Sequence, residues 1–197
     1  MNTVEPEVLE QVQKGNQEAF TQLVEFFQRP VYNLCYRMLG DANEAEDASQ
    51  ETFLRVYRNI KRYDHKRSFS TWLLSIAAHH CIDQIRKRRM VVVSLDGIPY
   101  LDPPDSSPGP ETSFFLLEDQ KKIEELLKSL NPHDRAAVVM YYWYDFSYEE
   151  IAQSLSITVS AVKSRLHRAR LILAQTWQKQ GAKNFSAERK THESPAF

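Results

Sequence analysis

The stretch Ser147–Arg170, SYEEIAQSLSITVSAVKSRLHRAR, predicts two short helices joined by a tight turn. Ser147 can cap the first helix, and Glu150, three residues later, completes a capping box. Ser156 begins the turn, and Thr158 can cap the second helix. A helix-turn-helix of this kind can place its second helix in the major groove of DNA.

The second helix of this stretch separates an apolar face from a basic one. Five Lys or Arg residues and no acid lie between Ser160 and Gln180. The residues that recur at helical spacing, and are expected to face a core, are Val159, Val162, Leu166 and Ala169. The opposite face carries Ser160, Lys163, Ser164, His167 and Arg168, with Arg165 at its edge. This distribution favours contact with nucleic acid over a purely structural helix.

The rest of the chain limits the class of protein. It has 197 residues and a net charge of −1, which argues against a protein that coats DNA by charge alone. Cys35 and Cys81 lack metal-ligand spacing and are expected to be buried thiols in a reducing compartment. The sequence has no apolar run of the ~20 residues that span a bilayer, and MNTVEPEVLE does not resemble a signal peptide. We therefore predict a cytoplasmic protein.

Periodicity predicts an all-α fold. Pro6 can open a first helix that Gly15 closes, and a second pattern runs from about Gln17 to Leu39, with Pro30 expected to kink or split it. Asp41 and Glu44 form a capping box for a third helix, and a fourth runs over about 69–89. Helical patterning resumes near residue 112, and an Asn-Pro pair at 131–132 begins a further helix.

A change of composition divides the chain. From Met90 to Gln120 there is no Lys or Arg, and six acids and a Pro-rich stretch fall in this segment. We predict two small helical domains at 1–90 and 112–180, joined by a flexible acidic linker at 91–111. The second domain contains the helix-turn-helix, and the polar tail at 181–197 is expected to be disordered.

Three segments in order resemble the extracytoplasmic-function (ECF) sigma factors of bacteria, small members of the sigma-70 family. EAEDASQETF at 44–53 is similar to the acidic helix of that family. FSTWL at 69–73, leading to the basic RKRR at 86–89, is similar to its −10 promoter segment. The stretch 151–170 is similar to its −35 helix-turn-helix. The resemblance covers about residues 15–178, with a Pro-rich linker where the family has one.

The resemblance implies a promoter-specificity subunit, not an enzyme, that binds core RNA polymerase, recognises promoter DNA and helps to separate its strands. It needs no cofactor, metal or small-molecule substrate, and an anti-sigma factor is an expected partner. The implied polymerase contacts are Asp47, Gln50, Glu51 and Arg55. The implied contacts to single-stranded −10 DNA are Tyr63, Asp64, Ser68, Phe69, His79, Arg86 and Arg88. The implied contacts to duplex −35 DNA are Thr158, Ser160, Lys163, Ser164, Arg165, His167 and Arg168. The acidic linker is expected to thread the polymerase cleft.

Several of these residues have plainer interpretations. Glu51 and Arg55 can pair along a solvated helix face, and Phe69 and Trp72 can anchor a helix start in the core. The family often has Asn where His79 stands, which affects the expected −10 sequence. The neighbouring pair His79-His80 points to different helix faces and does not predict a metal site.

Other functions fit the sequence less well than a sigma factor. A helix-turn-helix regulator that acts without polymerase would not need the acidic helix or the aromatic and basic loop. An enzyme would need a phosphate loop, a nucleophile with its base, or a metal cluster, and the sequence shows none of these signatures. A sigma-like decoy that binds polymerase without starting transcription has nearly the same sequence signature as an active factor.

Overall fold

The computed structural model describes residues 5–94 and 114–191, and most of these residues are helical, as the sequence predicts. Within these two ranges there are eight α-helices, and a one-turn 3-10 helix at Ile60–Arg62 follows the third. The α-helices are α1 Pro6–Gln13, α2 Gln17–Leu39, α3 Ala42–Asn59, α4 Phe69–Ser94, α5 Phe114–Lys128, α6 Pro132–Tyr144, α7 Tyr148–Leu155 and α8 Val159–Thr191. The predicted linker falls almost wholly on residues 95–113, which lie outside the described residues.

Side chains define the helix starts. Asn16, Asp41, Asn131 and Ser147 each precede a helix and accept a hydrogen bond from the backbone N–H three residues later. This bond satisfies one of the N–H groups that have no partner within the helix. The N-cap predictions at Asp41, Asn131 and Ser147 are therefore confirmed, and the reciprocal capping box is complete at Ser147. At Asp41 only half of the predicted box forms, because the Glu44 carboxylate pairs with Arg88 instead.

Two helices continue through residues that were expected to break or end them. Pro30 does not split α2, which is one helix from Gln17 to Leu39. A proline removes a single N–H donor, and buried residues on both sides of it, such as Phe27 and Val31, fix the helix in the core. At the other end, α8 continues past Gly181 to Thr191. Most residues after Gly181 tolerate a helix, and one glycine costs only about 1 kcal/mol.

The amino-terminal half is built from α2, α3 and α4 packed on one another, with α1 against α2. Leu23, Met38, Val56 and Leu73 are among its fully buried side chains. Burial of one such side chain is worth roughly 1.5–3 kcal/mol. The two cysteines are free and buried, as predicted, and the neighbouring Cys35 raises the pKa of the Cys81 thiol.

The carboxy-terminal half packs α6, α7 and α8 together and lies directly on the amino-terminal half. The Arg135 guanidinium is buried and donates to the Met38 carbonyl at 2.5 Å. The Tyr144 hydroxyl donates to the Pro30 carbonyl at 2.6 Å. Because the buried apolar residues form one cluster through both halves, the two predicted domains share a core in this structure. None of the described helices is long and apolar enough to cross a lipid bilayer.

Candidate nucleic-acid interface

The turn between α7 and α8 has the geometry that the sequence predicts. Ser156 adopts a left-handed conformation with φ of 54°, and its N–H donates back to the end of α7. The left-handed region favours glycine, which has no Cβ, so a serine adopts this conformation at a modest cost in free energy. The Thr158 hydroxyl accepts from the Ala161 N–H at 3.1 Å and so caps α8.

An outer row of polar and charged side chains lies along α8 beyond this turn. The row consists of Lys163, Ser164, His167 and Arg168, all of which are exposed. On the opposite face Val162, Leu166 and Ala169 are buried against α6 and α7. The helix therefore presents two lysine or arginine heads, one imidazole and one hydroxyl outward, a set that can donate to phosphates and to base edges.

A buried acid lies behind the basic helix. Asp134, in the first turn of α6, is fully buried, and its carboxylate accepts from the Arg165 Nη1 at 2.8 Å. Arg168 Nη2 lies 3.5 Å from the same oxygen, and the Asn131 amide donates to the other oxygen at 2.6 Å. Arg165 is thus directed inward, whereas the Arg168 side chain is 57% exposed. The ion pair orients α8 against α6.

Three tyrosines border the other edge of the row. Lys163 Nζ lies 5.8 Å from the centre of the Tyr148 ring, and that ring stacks on Tyr141 at 5.5 Å. Tyr141 meets Tyr142 edge-on, and the Tyr142 hydroxyl accepts from Arg170 Nε at 3.2 Å. The tyrosines therefore hold two cations of α8, two helical turns apart, through ring and hydroxyl contacts.

A second polar surface lies on α3. Asp47 and Gln50 are exposed there, and Glu51 Oε1 accepts from Arg55 Nε at 2.8 Å. This hydrogen bond lowers the pKa of the Glu51 carboxyl. Phe53 and Val56 point into the core as predicted. The surface also includes apolar side chains, since Leu54 and Tyr57 are about half exposed.

The 63–69 loop joins the 3-10 helix to α4 around a cluster of aromatic rings. Tyr63 and Phe69 are both 6% exposed. The Tyr63 ring lies 5.2 Å from the rings of Phe69 and Trp72, and its hydroxyl donates to the Arg67 carbonyl. Asp64 and Ser68 remain exposed. The loop thus turns its rings inward and its short polar groups outward.

A cavity of about 410 Å³ lies between this loop and the carboxy-terminal half. Tyr63, Ser68 and Phe69 line one side, and Tyr144 and Phe146 line the other. Across the same boundary, the Thr71 hydroxyl donates to the capping glutamate of α7 at 3.2 Å. In this arrangement the carboxy-terminal half covers the surface that the loop would offer to a base.

Comparison with known proteins assigns the family. Sigma-70 region 2 matches residues 23–90, and a sigma-70 region 4 matches residues 120–173. ECF RNA polymerase sigma factor SigW of Bacillus subtilis (strain 168) is 38% identical over 169 residues, which are 82% of this chain and 90% of that protein. The chain is an ECF sigma factor.

Further relatives agree with this assignment. SigE of Mycolicibacterium smegmatis is 36% identical over 140 residues, 71% of this sigma factor and 54% of that protein. Two solved structures share the fold at 23% identity: RpoE of Bartonella quintana, in complex with the anti-sigma factor NepR, and CnrH, in complex with the cytosolic domain of CnrY. Their TM-scores are 0.65 and 0.64, over 81% and 87% of this chain and 96% of each of theirs.

The sigma factor distributes the predicted site residues over three surfaces. Asp47, Gln50, Glu51 and Arg55 share α3, and the predicted −35 residues share the start of α8, with Arg165 turned toward Asp134. Among the predicted −10 residues, His79 and Arg86 are exposed along α4, and Arg88 pairs with Glu44. The −10 residues therefore form a discontinuous set in which two rings are buried.

The two neighbouring histidines of α4, His79 and His80, have different surroundings. His79 is exposed and its Nδ1 bonds to the Ser75 carbonyl at 2.8 Å, whereas His80 is half-buried against Gln84. Within residues 5–94 and 114–191, no three His, Cys, Asp or Glu side chains gather in a way that could hold a metal ion.

Sequence reasoning missed several side chains that shape these surfaces. Asp134 has a local signal as the N3 residue of a capped helix, but its pairing with Arg165 crosses 31 residues. Tyr142 and Tyr148 carry no periodic signal, because their contacts are with a different helix. Gln13 bonds to residues 60, 63 and 65 and lies before the segment that matches the family.

Proposed function

We propose that this sigma factor directs core RNA polymerase to promoters through two separate DNA contacts. The outer row of α8 reads −35 bases in the major groove. The 63–69 loop and α4 take the −10 strand as the duplex opens, and α3 docks on the polymerase. The hydroxyls of Thr158 and Ser160 at the helix start contact phosphates.

The observation that carries this proposal is the outer row itself. Lys163, His167 and Arg168 are exposed on a helix whose start is capped and whose opposite face is buried. A helix held in this way can enter a groove without rearranging, since its reading face is free of the core. An Arg or Lys head in the groove favours guanine through its O6 and N7 acceptors.

Contact with the −10 strand requires a change in the arrangement of the two halves. Tyr144, Phe146 and Glu150 lie across the cavity at Ser68 and Phe69, so a flipped base needs this side of the cavity to open. The two halves are joined by hydrogen bonds, such as those from Arg135 to Met38 and from Tyr144 to Pro30, and by buried apolar contacts. Docking on polymerase and the −35 contact would supply the free energy that separates them.

We also propose an anti-sigma partner and a cytoplasmic location for this protein. One protein of the same fold was solved with the anti-sigma factor NepR, and another with the cytosolic domain of CnrY. A cytoplasmic location follows from the need to meet polymerase and DNA. The predicted acidic linker would pass through the polymerase cleft, where its carboxylates resemble the charge of nucleic acid.

Run-off transcription with purified core polymerase and a pool of genomic fragments tests this function. The wild-type protein should yield a small set of transcripts whose start sites share upstream −35 and −10 sequences. Transcripts without any shared upstream sequence would contradict the two-contact assignment.

The polymerase contact is tested by charge reversal on α3. Asp47→Lys with Glu51→Lys should weaken core binding at least about tenfold, since it reverses two charges of the proposed docking surface. The matched control reverses two exposed acids on α2, Glu18→Lys with Glu25→Lys, and should bind core normally. Equal core binding by both double variants would remove α3 from the docking surface.

A further inference from the structure

Gln13, the last residue of α1, bonds to the base of the 63–69 loop. Its Nε2 donates to the Ile60 carbonyl at 3.1 Å and to the Tyr63 carbonyl at 3.2 Å. Its Oε1 accepts from His65 Nε2 at 2.9 Å. All three partners lie about fifty residues further along the chain. The segment that matches sigma-70 region 2 begins at residue 23, so this helix precedes it.

The partners of Gln13 lie where regular structure ends. Ile60 follows the last residue of α3, and Tyr63 ends the 3-10 helix. The Ile60 carbonyl accepts from the Tyr63 N–H at 3.1 Å as well as from Gln13, and the Tyr63 carbonyl lies just past the helix end, where carbonyls need a donor from outside the helix. A primary amide offers two N–H donors and one acceptor, and Gln13 uses both kinds at once. Its side chain therefore matches the hydrogen-bonding needs of this junction.

The junction controls the rest of the loop through Tyr63. The Tyr63 ring contacts Phe69 and Trp72, and its hydroxyl bonds to the Arg67 carbonyl. Once the Tyr63 backbone is fixed, the ring and the following turn are fixed with it. Ser68, at the far end of the loop, is then held next to Phe69, the first residue of α4.

The bonds of Gln13 are not needed to attach α1 itself. Leu9 and Val12 are 6% and 3% exposed and anchor the helix in the core. The Gln13 side chain is only half-buried. Its loss would thus leave α1 in place and release the loop, which separates a positioning role from a purely structural one.

We infer that Gln13 is a positioning residue for −10 strand capture: α1 clamps the 63–69 loop in the shape that receives an unstacked base. This inference rests on the proposed −10 contact of the loop. A preformed site binds more tightly than a mobile one because ordering the loop costs free energy at the moment of binding. The clamp therefore acts on single-stranded DNA and not on polymerase or the −35 duplex.

The test uses the full chain assembled with core polymerase. The probe is a fluorescent single-stranded oligonucleotide with the non-template −10 sequence of a promoter defined by run-off transcription. Gln13→Met keeps the length of the side chain and removes its hydrogen bonds. It should weaken oligonucleotide binding by about threefold to tenfold, because part of the free energy of the three lost hydrogen bonds is then spent on ordering the loop during binding. The matched control, Gln11→Met, changes an exposed glutamine of the same helix and should bind normally.

Two further measurements separate the role of Gln13 from instability and from failure of the proposed site. Core binding and the thermal unfolding midpoint should be equal for Gln13→Met and Gln11→Met. If Gln13→Met unfolds early, Gln13→Glu replaces it, because the carboxylate keeps the shape but cannot donate to the two carbonyls. A loop variant, Asp64→Ala with Ser68→Ala, removes two polar side chains of the 63–69 loop and tests whether this loop binds the −10 strand.

The three possible results distinguish the role of Gln13 from the proposed −10 site. Weaker oligonucleotide binding by the loop variant and by Gln13→Met, with a normal control, supports the clamp. A weak loop variant with normal binding by Gln13→Met and Gln13→Glu overturns the clamp and leaves the proposed −10 site standing. Normal binding by the loop variant overturns both, since the loop would then not receive the strand.

Discussion

The two proposed DNA contacts are built in opposite ways. On α8 the outer row is exposed, and a capped helix start with a buried apolar stripe, both close in sequence, orients it together with one longer-range ion pair, Arg165 to Asp134. In the 63–69 loop the rings are buried against the nearby Trp72, and Gln13 and Phe27 hold them from distant parts of the chain. A local element can display a reading face ready for use. A loop built from long-range contacts must change its surroundings before it can receive a base.

This contrast suits the two forms of DNA. The −35 element stays duplex, so a rigid helix can dock on a shape that already exists. The −10 element is bound as a single strand, so its site has to stack and enclose bases that are not yet free. Tyr144 and Phe146 line the cavity opposite the aromatic loop, so under the proposed function they would cover the loop until a strand is available.

The largest expected effect comes from the one buried acid that the helix-turn-helix needs. Asp134→Ala leaves Arg165 without its partner and removes a buried hydrogen-bond network, so we expect a loss of about 2–4 kcal/mol in the free energy of unfolding. Urea denaturation measures this loss. Glu149→Ala, an exposed acid of α7, is the control and should stay within about 0.5 kcal/mol of the wild type. Equal stabilities would mean that α8 needs no long-range support.

A smaller effect is expected from a substitution in the outer row, and it concerns the recognition of −35 bases and not the stability of the fold. Arg168→Ala should reduce discrimination at one −35 base by about 1–3 kcal/mol if its contact to guanine is bidentate. Transcription from promoters with all four bases at each −35 position measures it. Lys179→Ala removes an exposed charge further along α8 and should lower no single-base preference. An unchanged profile for Arg168→Ala would remove this residue from the reading face.

The smallest expected effect is a pH dependence of the free energy of unfolding that comes from two histidines, one in each half. Loss of hydration is the main cause that lowers the pKa of His80 and of His133 below the usual 6.5, followed for His133 by the nearby Arg165. His80 is half-buried and His133 is exposed, so His80 should contribute more. Gln84 donates to His80 Nε2, which also suits the neutral ring. Because the unfolded chain binds more protons, the free energy of unfolding should fall as the pH drops below about 6.5 and be constant above it.

Substitution identifies the histidines responsible for this slope. His80→Gln and His133→Gln should each flatten the dependence of urea unfolding on pH between about 6.5 and 5, and the double variant should flatten it most. A double variant with the wild-type slope would assign the dependence to other groups.

Much of this molecule was predictable because its signals are local. The spacing of apolar residues predicted α2 from Gln17 to Leu39, and the capping pairs predicted where three other helices begin. The resemblance to ECF sigma factors was confirmed by matches to regions 2 and 4. The roles of individual residues in promoter and polymerase binding stay predictions, since they depend on partners.

One expectation that differed from the structure involves competing local preferences. Pro30 was expected to kink or split α2, and core packing on both sides keeps it from splitting the helix. Arg165 donates to Asp134 at 2.8 Å, a contact between distant residues that the sequence did not predict, and Phe69 is buried against Tyr63 and Trp72. Their contacts to a phosphate and to a base stay predictions.

The sequence by itself determined the helices, their caps and the basic face of α8, because hydrogen bonds and side-chain periodicity over a few residues set them. Only the tertiary structure decided which cations are free and which are paired, that α1 holds the 63–69 loop through Gln13, and that the two halves share one core. These features depend on residues that lie from about thirty to more than a hundred positions apart. Their energies come from burial and paired polar groups that exist only once the chain has folded.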